Sequence, residues 1–359
     1  AGASKVKLPG RDGCLASSFI SAEELTPLVV VKAARLNGVW LSQAFGIATY
    51  YDELGPGRPE PAAEQPLPDV HGAVGEAPAI LTGDLGRIDP EDIESYAAAG
   101  GYTAITRAVT EMTPAEVVDE LAVSGLRGRG GSGFATGRKW KTALEAEAPA
   151  KYVICNGGEG DPGSFKDRAL IEKNPHAVIE GMLTAGYAIG AREGFICMKA
   201  SDRTAVARME RAVGQARERG LLGEQFPGTG FEFEVSVVAL PEAYMGGEET
   251  ALISTLEGKR PQARVRPPYP AQEGLHGRPT VVENVETLAT IPWIMRHGAK
   301  KFLETGAQNA PGTKLFTVYG AVNRPGIYEA PLNISVKRLV EEGGGGGGGP
   351  APGAGGGGA

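Results

Sequence analysis

The sequence predicts an α/β fold built on a sheet, and three observations carry that prediction. Residues 151–156 are a short apolar run ending in turn residues, the mark of a buried strand. Phe231, Phe233, Val235 and Val237 alternate with Glu232, Glu234 and Ser236, the mark of a half-buried strand. Between them lie an apolar helical segment from Asn174 and Pro175 to about Ile189, a strand at 194–200, and a charge-alternating helix at 202–220. Strands separated by helices of this length make an α/β sheet.

Composition narrows the class. A chain of 359 residues suggests two or three domains, and 42% hydrophobic content is ordinary for a globular protein. A net charge of -7 argues against nucleic acid as a partner. No apolar run is long enough for direct membrane insertion, and no secretory signal pattern is visible, so cytoplasm is the expected compartment. The 3 cysteines, Cys14, Cys155 and Cys197, are isolated, which leaves no metal or disulfide framework in this chain.

Residues 1–76 are read as an N-terminal extension. Val29, Val30 and Val31 could form a strand core, and 56–68 read as a Pro/Glu/Ala-rich linker. Asp89 and Pro90 read as the start of a short helix running to Tyr96. Thr113, Pro114 and Glu116 form an N-terminal capping pattern for a helix over 112–123.

Next comes a run that packs Gly128, Gly130, Gly131 and Gly133 among Arg127, Arg129, Arg138 and Lys139. Glycines let a ligand lie directly on backbone amides, and neighbouring cations suit an anion such as phosphate. The spacing alone is weak evidence, and a flexible surface loop is the competing reading. A helix precedes this run, so it is a cradle between two helices and not an ordinary strand-to-helix dinucleotide turn.

Three further segments accompany it: Asn156 to Gly163 after a strand, Gly246 to Thr250 opening a helix, and Pro279 to Thr287 opening another. Four such segments in this order resemble the flavin-containing, NADH-oxidising subunit of respiratory complex I. They equally resemble its soluble relatives in NAD-linked hydrogenases, formate dehydrogenases and electron-bifurcating enzymes. The resemblance covers about residues 77–342. It implies a Rossmann-like FMN-binding domain at 77–310, followed by the start of a ubiquitin-like β-grasp (SLBB) domain at 311–342. Within the latter, 313–328 read as strand, turn, strand, and 333–342 as helix. Residues 343–359, almost pure Gly, Ala and Pro, read as a placeholder or a truncated tail. The faint likeness of residues 10–17 to a thioredoxin-like domain, with only Cys14 present, suggests at most a degenerate copy.

The resemblance also implies roles. Arg127, Gly128, Arg129, Gly130 and Gly131 would cradle FMN, with Lys139 hydrogen-bonding it. Asn156, Glu159, Asn284 and Thr287 would contact the flavin nucleotide, and Gly247 and Glu248 would line its ring. Phe134 and Tyr269 would sandwich NADH, with Glu249, Arg266 and Asp161 on its polar groups. No side chain acts as acid or base, because the flavin itself takes the hydride. The family's 4Fe-4S cluster sits in a C-terminal helical bundle that this sequence does not contain, so the native polypeptide is expected to continue. Expected partners are iron-sulfur subunits of a larger redox complex, including a 2Fe-2S thioredoxin-like one.

Four positions depart from the family pattern. Gly158 replaces an Asp, Gly246 a common Cys, Glu283 the first of two Asn residues, and Thr142 an aromatic. They leave open a non-catalytic structural homologue, beside a flavin subunit of a bifurcating complex.

Overall fold

In a computed structural model, the described residues are 64–346 except 162, 224, 225 and 241–243, with 244 and 245 in backbone only, together with the backbone of two strands. Those strands, β1 (Lys5–Pro9) and β2 (Leu15–Ser21), pair antiparallel. Cys14 and the run Val29 to Val31 lie outside the described residues.

From residue 65 the chain forms one compact unit. It opens with β3 (Val70–Ala73), then α1 (Ile93–Ala98), α2 (Thr103–Glu111) and α3 (Pro114–Ser124). The short helix begins one turn later than Asp89 and Pro90 suggest, because the Asp92 carboxylate caps it by accepting from the amides of Glu94 and Ser95. In α3 the capping box forms as the sequence dictates: the Glu116 amide donates to Thr113 Oγ1 and the Thr113 amide to Glu116 Oε2.

The central layer follows as α4 (Thr136–Glu145), β4 (Tyr152–Gly157), α5 (Lys166–Lys173), α6 (Pro175–Ile189), β5 (Glu193–Lys199), α7 (Arg203–Glu218), β6 (Glu234–Leu240), α8 (Glu249–Leu256), β7 (Thr280–Asn284) and α9 (Val285–His297). Strands β4 to β7 form a wholly parallel sheet in the order β6-β5-β4-β7. Phe231 and Phe233 fall before β6 and stack on each other at the sheet's margin.

Alternation along the strands sends side chains to two cores. Val153, Cys155, Ile196, Val235 and Val281 pack with α6, α7 and α9 on one face. Ile154, Cys197, Leu240 and Val282 pack with Leu252 and Ile253 of α8 on the other. Helices α6 and α9 are buried almost all round, as a parallel sheet covered on both faces requires. They meet backbone to backbone. Pro292 has no N–H to offer the Leu288 carbonyl, and Gly181 packs against that same carbonyl, where a Cβ would lie 2.2 Å from the oxygen.

Beyond α9 come α10 (Ala299–Leu303), the small pair β8 (Gly306–Ala307) and β9 (Ala310–Pro311), then β10 (Thr313–Val318) and β11 (Gly326–Pro331). Strands β10 and β11 form the expected hairpin, and β3 adds to it in parallel to complete a three-stranded sheet. A helical segment then follows at Val336–Arg338 and widens into a π turn at Leu339–Gly343.

Candidate functional site

In an open parallel sheet the ligand crevice lies beyond the carboxyl ends of the strands, where the strand order reverses. Here that point falls between β4 and β7, since the chain runs outward from β4 through β5 and β6 and returns to β7 on β4's other side. Asn156 and Asn284 end these strands as direct register partners. Both line a cleft of about 690 Å³, within the range of small-molecule sites.

Each Asn holds a wall. Asn156 Nδ2 donates to the Gly247 carbonyl at 2.8 Å, and its Oδ1 accepts from the Gly158 amide at 3.2 Å. That draws the turn after β4 against the turn before α8, where a Cβ on Gly247 would lie 2.6 Å from the Gly158 oxygen. Only hydrogen fits there. Asn284 caps α9 by accepting from the Glu286 amide, accepts from Lys166 Nζ at 3.0 Å, and donates to Asp167 Oδ2 at 2.6 Å.

The glycine run forms the third wall. An antiparallel bridge between Arg127 and Ala135 closes the loop, and the Gly128 amide donates to the Phe134 carbonyl at 2.8 Å. Gly131 sits at φ 117°, which a residue with a Cβ adopts only under strain. The Arg129 amide donates to Thr287 Oγ1 at 2.9 Å, tying the loop to α9.

β10 supplies the fourth wall with Lys314 and Leu315. Behind it the carboxylate of Glu286 is fully buried. Lys166 Nζ lies 3.1 Å from it, Lys314 Nζ 3.4 Å, and the Leu315 amide donates at 2.9 Å. Burial alone would raise its pKa, but Lys166, Lys314, the Leu315 amide and Arg129 outweigh burial and hold it below the ordinary carboxyl value. Glu159 spends its carboxylate on the first turn of α5, accepting from the amides of Lys166, Asp167 and Arg168 and from the Ser164 hydroxyl. Burial and then nearby Asp167 raise its pKa.

At the rim, Glu248 caps α8 through the amides of Thr250 and Ala251. Arg266 grips both acids, Nη2 to Glu248 at 2.8 Å and Nη1 to Glu249 at 2.6 Å. Phe134 and Tyr269 are exposed at 46% and 55%, and the Arg138 guanidinium stands over the Phe134 ring.

The structure therefore brings Arg129, Gly130, Gly131, Asn156, Glu159 and Asn284 into one cleft, with Gly247, Glu248 and Asp161. Arg127 and Gly128 instead close the loop, with Arg127 donating to the carbonyls of Asn309 and Gly133. Thr287 acts through the Arg129 amide. Lys139 donates to the Val282 carbonyl at 2.7 Å and pairs with Glu283 at 3.3 Å. Glu283 is buried with Trp140 Nε1 donating to it, and burial raises its carboxyl against the pull of Lys139. Sequence reading missed Lys166, Asp167 and Lys314. Lys166 and Asp167 carried one signal, charges directly after a Gly-rich strand end, while Lys314 carried none. Among the described residues no cluster of His, Cys, Asp and Glu is arranged to hold a metal, and no helix is long and apolar enough to cross a membrane.

FMN offers a phosphate, a polar chain and a flat ring. The cleft has cations, a glycine loop and glycine-lined walls to match. Arg129, one of its lining residues, has a buried Nε with no protein partner, as expected where a ligand supplies one. The residues fit FMN.

Comparison with known proteins agrees. Residues 121–293 match the Nuo51 FMN-binding domain and residues 315–358 the SLBB domain. The chain is 46% identical over 250 residues to a subunit of the NADH-quinone oxidoreductase of Rhizobium meliloti, covering 70% of this chain and 59% of that one. It is 47% identical over 261 residues to the HndC component of the NADP-reducing hydrogenase of Solidesulfovibrio fructosivorans, covering 73% and 53%. The crystal structure of an air-oxidised NAD+-reducing NiFe hydrogenase superposes with a TM-score of 0.64 at 34% identity, over 77% of this chain and 44% of that one. The chain thus spans between half and three fifths of the curated relatives it matches.

Proposed function

We propose, for a chain whose residues 121–293 match the Nuo51 FMN-binding domain, that the cleft between β4 and β7 binds FMN with NADH against it. The chain is then the NADH-oxidising flavin subunit of a multi-subunit redox complex, working in the cytoplasmic compartment and handing electrons to iron-sulfur partners, including a 2Fe-2S thioredoxin-like one. The observation that carries this is the meeting of Asn156, Asn284 and the glycine loop at the sheet's switch point.

When bound, FMN supplies the chemistry: it accepts a hydride and releases electrons singly. The protein binds and orients. The loop at Gly130 and Gly131 and the N-terminus of α9, all at the cleft, would hold the nucleotide's phosphate. Asn156 and Gly247 fix a wall that would take the ring, and the absence of a Cβ at Gly247 keeps that wall thin. Glu249 and Arg266, already paired at 2.6 Å, offer an acceptor and a donor to the dinucleotide's sugar and amide. Phe134 and Tyr269 offer exposed rings for stacking on its bases. No residue needs to move a proton.

Flavin analysis tests the reading. Denaturing the purified chain should release roughly one FMN per chain, and NADH should bleach the bound flavin under anaerobic conditions. Release of FAD, or of no flavin from folded protein that also fails to take up added FMN, overturns the assignment. Flavin that binds but is not reduced by NADH would instead support a structural homologue.

A further inference from the structure

We infer that Lys314, on the first strand of the three-stranded sheet, joins Arg129 in a subsite for a phosphate monoester, so that the SLBB region completes the flavin site. This rests on the FMN reading above.

The argument is an accounting of donors. Three cations converge on Glu286: Lys166, Lys314 and Arg129. Lys166 is spent, because its ammonium meets Asp167 at 2.6 Å, Asn284 at 3.0 Å and Glu286 at 3.1 Å, one acceptor for each N–H. Lys314 is not. It reaches the Arg129 carbonyl at 3.2 Å and Glu286 at 3.4 Å, the second long for an ammonium, and a third N–H remains while its side chain keeps 26% exposure. Arg129 is 4% exposed, and its Nε has no partner although its Nη2 donates to the Pro311 carbonyl at 3.0 Å. Both residues line the cleft beside Gly130, Gly131 and the start of α9, a helix of 13 residues.

Glu286 needs neither of these spare donors, since Lys166 and the Leu315 amide already satisfy it at 3.1 and 2.9 Å. An ammonium, a guanidinium N–H and loop amides around one space suit a tetrahedral dianion with several acceptor oxygens. A flavin ring or a nicotinamide offers only neutral acceptors spread around a flat ring, a poorer match to clustered cations.

The test compares FMN with riboflavin, which lacks only the phosphate, by flavin-fluorescence titration of the flavin-stripped chain. ADP-ribose, followed by competition, probes the other phosphate source, the pyrophosphate of a dinucleotide. K314Q should weaken FMN about tenfold and leave riboflavin unchanged, the scale of losing a charged hydrogen bond. K314R should recover most of the loss, which also guards against misfolding of the first variant. Equal weakening of both flavins, or an unchanged FMN affinity, overturns the inference. So does weakening confined to ADP-ribose. A wild-type chain that binds FMN and riboflavin equally overturns it too, yet leaves flavin binding in place. A wild-type chain that binds neither overturns both readings.

Discussion

Asn156 and Asn284 are register partners at the carboxyl ends of two parallel strands, and each spends its side-chain amide on a different wall of one cleft. Asn156 holds the two glycine turns together, while Asn284 caps α9 and anchors Lys166. The strand pairing brings the two together from distant parts of the chain. The cleft is therefore as rigid as the sheet beneath it, which is the requirement for holding a flavin at fixed distance from its electron donor.

That rigidity depends on Gly247. A Cβ there would sit 2.6 Å from the Gly158 carbonyl oxygen, a backbone atom with no freedom to yield. G247A should weaken FMN binding about tenfold or more, as expected when a ligand wall shifts by a fraction of an ångström. G214A is the control. Gly214 lies within α7 with nothing in reach of an added Cβ, so the substitution should leave flavin binding unchanged and stabilise the fold by about 0.5–1 kcal/mol. Flavin retention and thermal unfolding of the two variants check both statements.

Glu249 offers a test that tells the proposed dinucleotide site from the proposed flavin site. It lies at the rim, paired with Arg266. E249Q should raise the NADH concentration needed for half-maximal flavin reduction roughly tenfold, with FMN content unchanged. Stopped-flow reduction beside a flavin assay reads the two separately, and parallel loss of both would place Glu249 in the flavin site.

One strand behind the cleft, Glu329 of β11 pairs with Leu315 and holds the second sheet to the segment after β3. Its buried carboxylate accepts from the amides of Ile80, Leu81 and Thr82, from Thr82 Oγ1 and from the Thr313 hydroxyl. Burial nevertheless raises its pKa. E329A strands these donors together and should cost about 3 kcal/mol or more in urea unfolding. E329Q keeps one acceptor oxygen and should cost visibly less.

His176 sets an acid limit on stability. It is 1% exposed, with Tyr102 Oη 2.8 Å from Nδ1 and Gln215 Oε1 3.2 Å from Nε2. The Gln oxygen can only accept, so Nε2 carries the proton and Nδ1 accepts from Tyr102. Burial lowers the pKa from 6.5 to about 4. Between these values the unfolded chain binds more protons than the folded one. The stabilisation is thus full above 6.5 and is lost as pH falls towards 4, by on the order of 3 kcal/mol. H176Q should flatten the fall of unfolding free energy over that window, and an unchanged slope would assign the acid sensitivity to another group.

Whatever depends on near neighbours was already written in the chain. The capping box of Thr113 and Glu116, the apolar period of α6 and the alternation in β6 each lie within one turn or strand, where propensity and burial act on contiguous residues. Asn156 was legible at the end of its strand, whereas residues 279–287, read as the opening of a helix, are strand to Asn284 and helix only from Val285, so Asn284 was reached through the family resemblance and not through its element. Which of these groups share a space was decided by packing alone. Val70–Ala73 joins a sheet formed by residues more than half the chain away, because a parallel partner can come from any distance once a crossover exists. Lys139 turns to Glu283 and the Val282 carbonyl, an allocation fixed by the burial of one carboxylate that looks in the sequence like any other acid. Lys314 enters the cleft through the pairing of β10 with β11 and its packing against Glu286. A lysine on a half-buried strand says nothing of which acid or ligand will face it. Packing settles that, by leaving some donors satisfied and one or two without a partner.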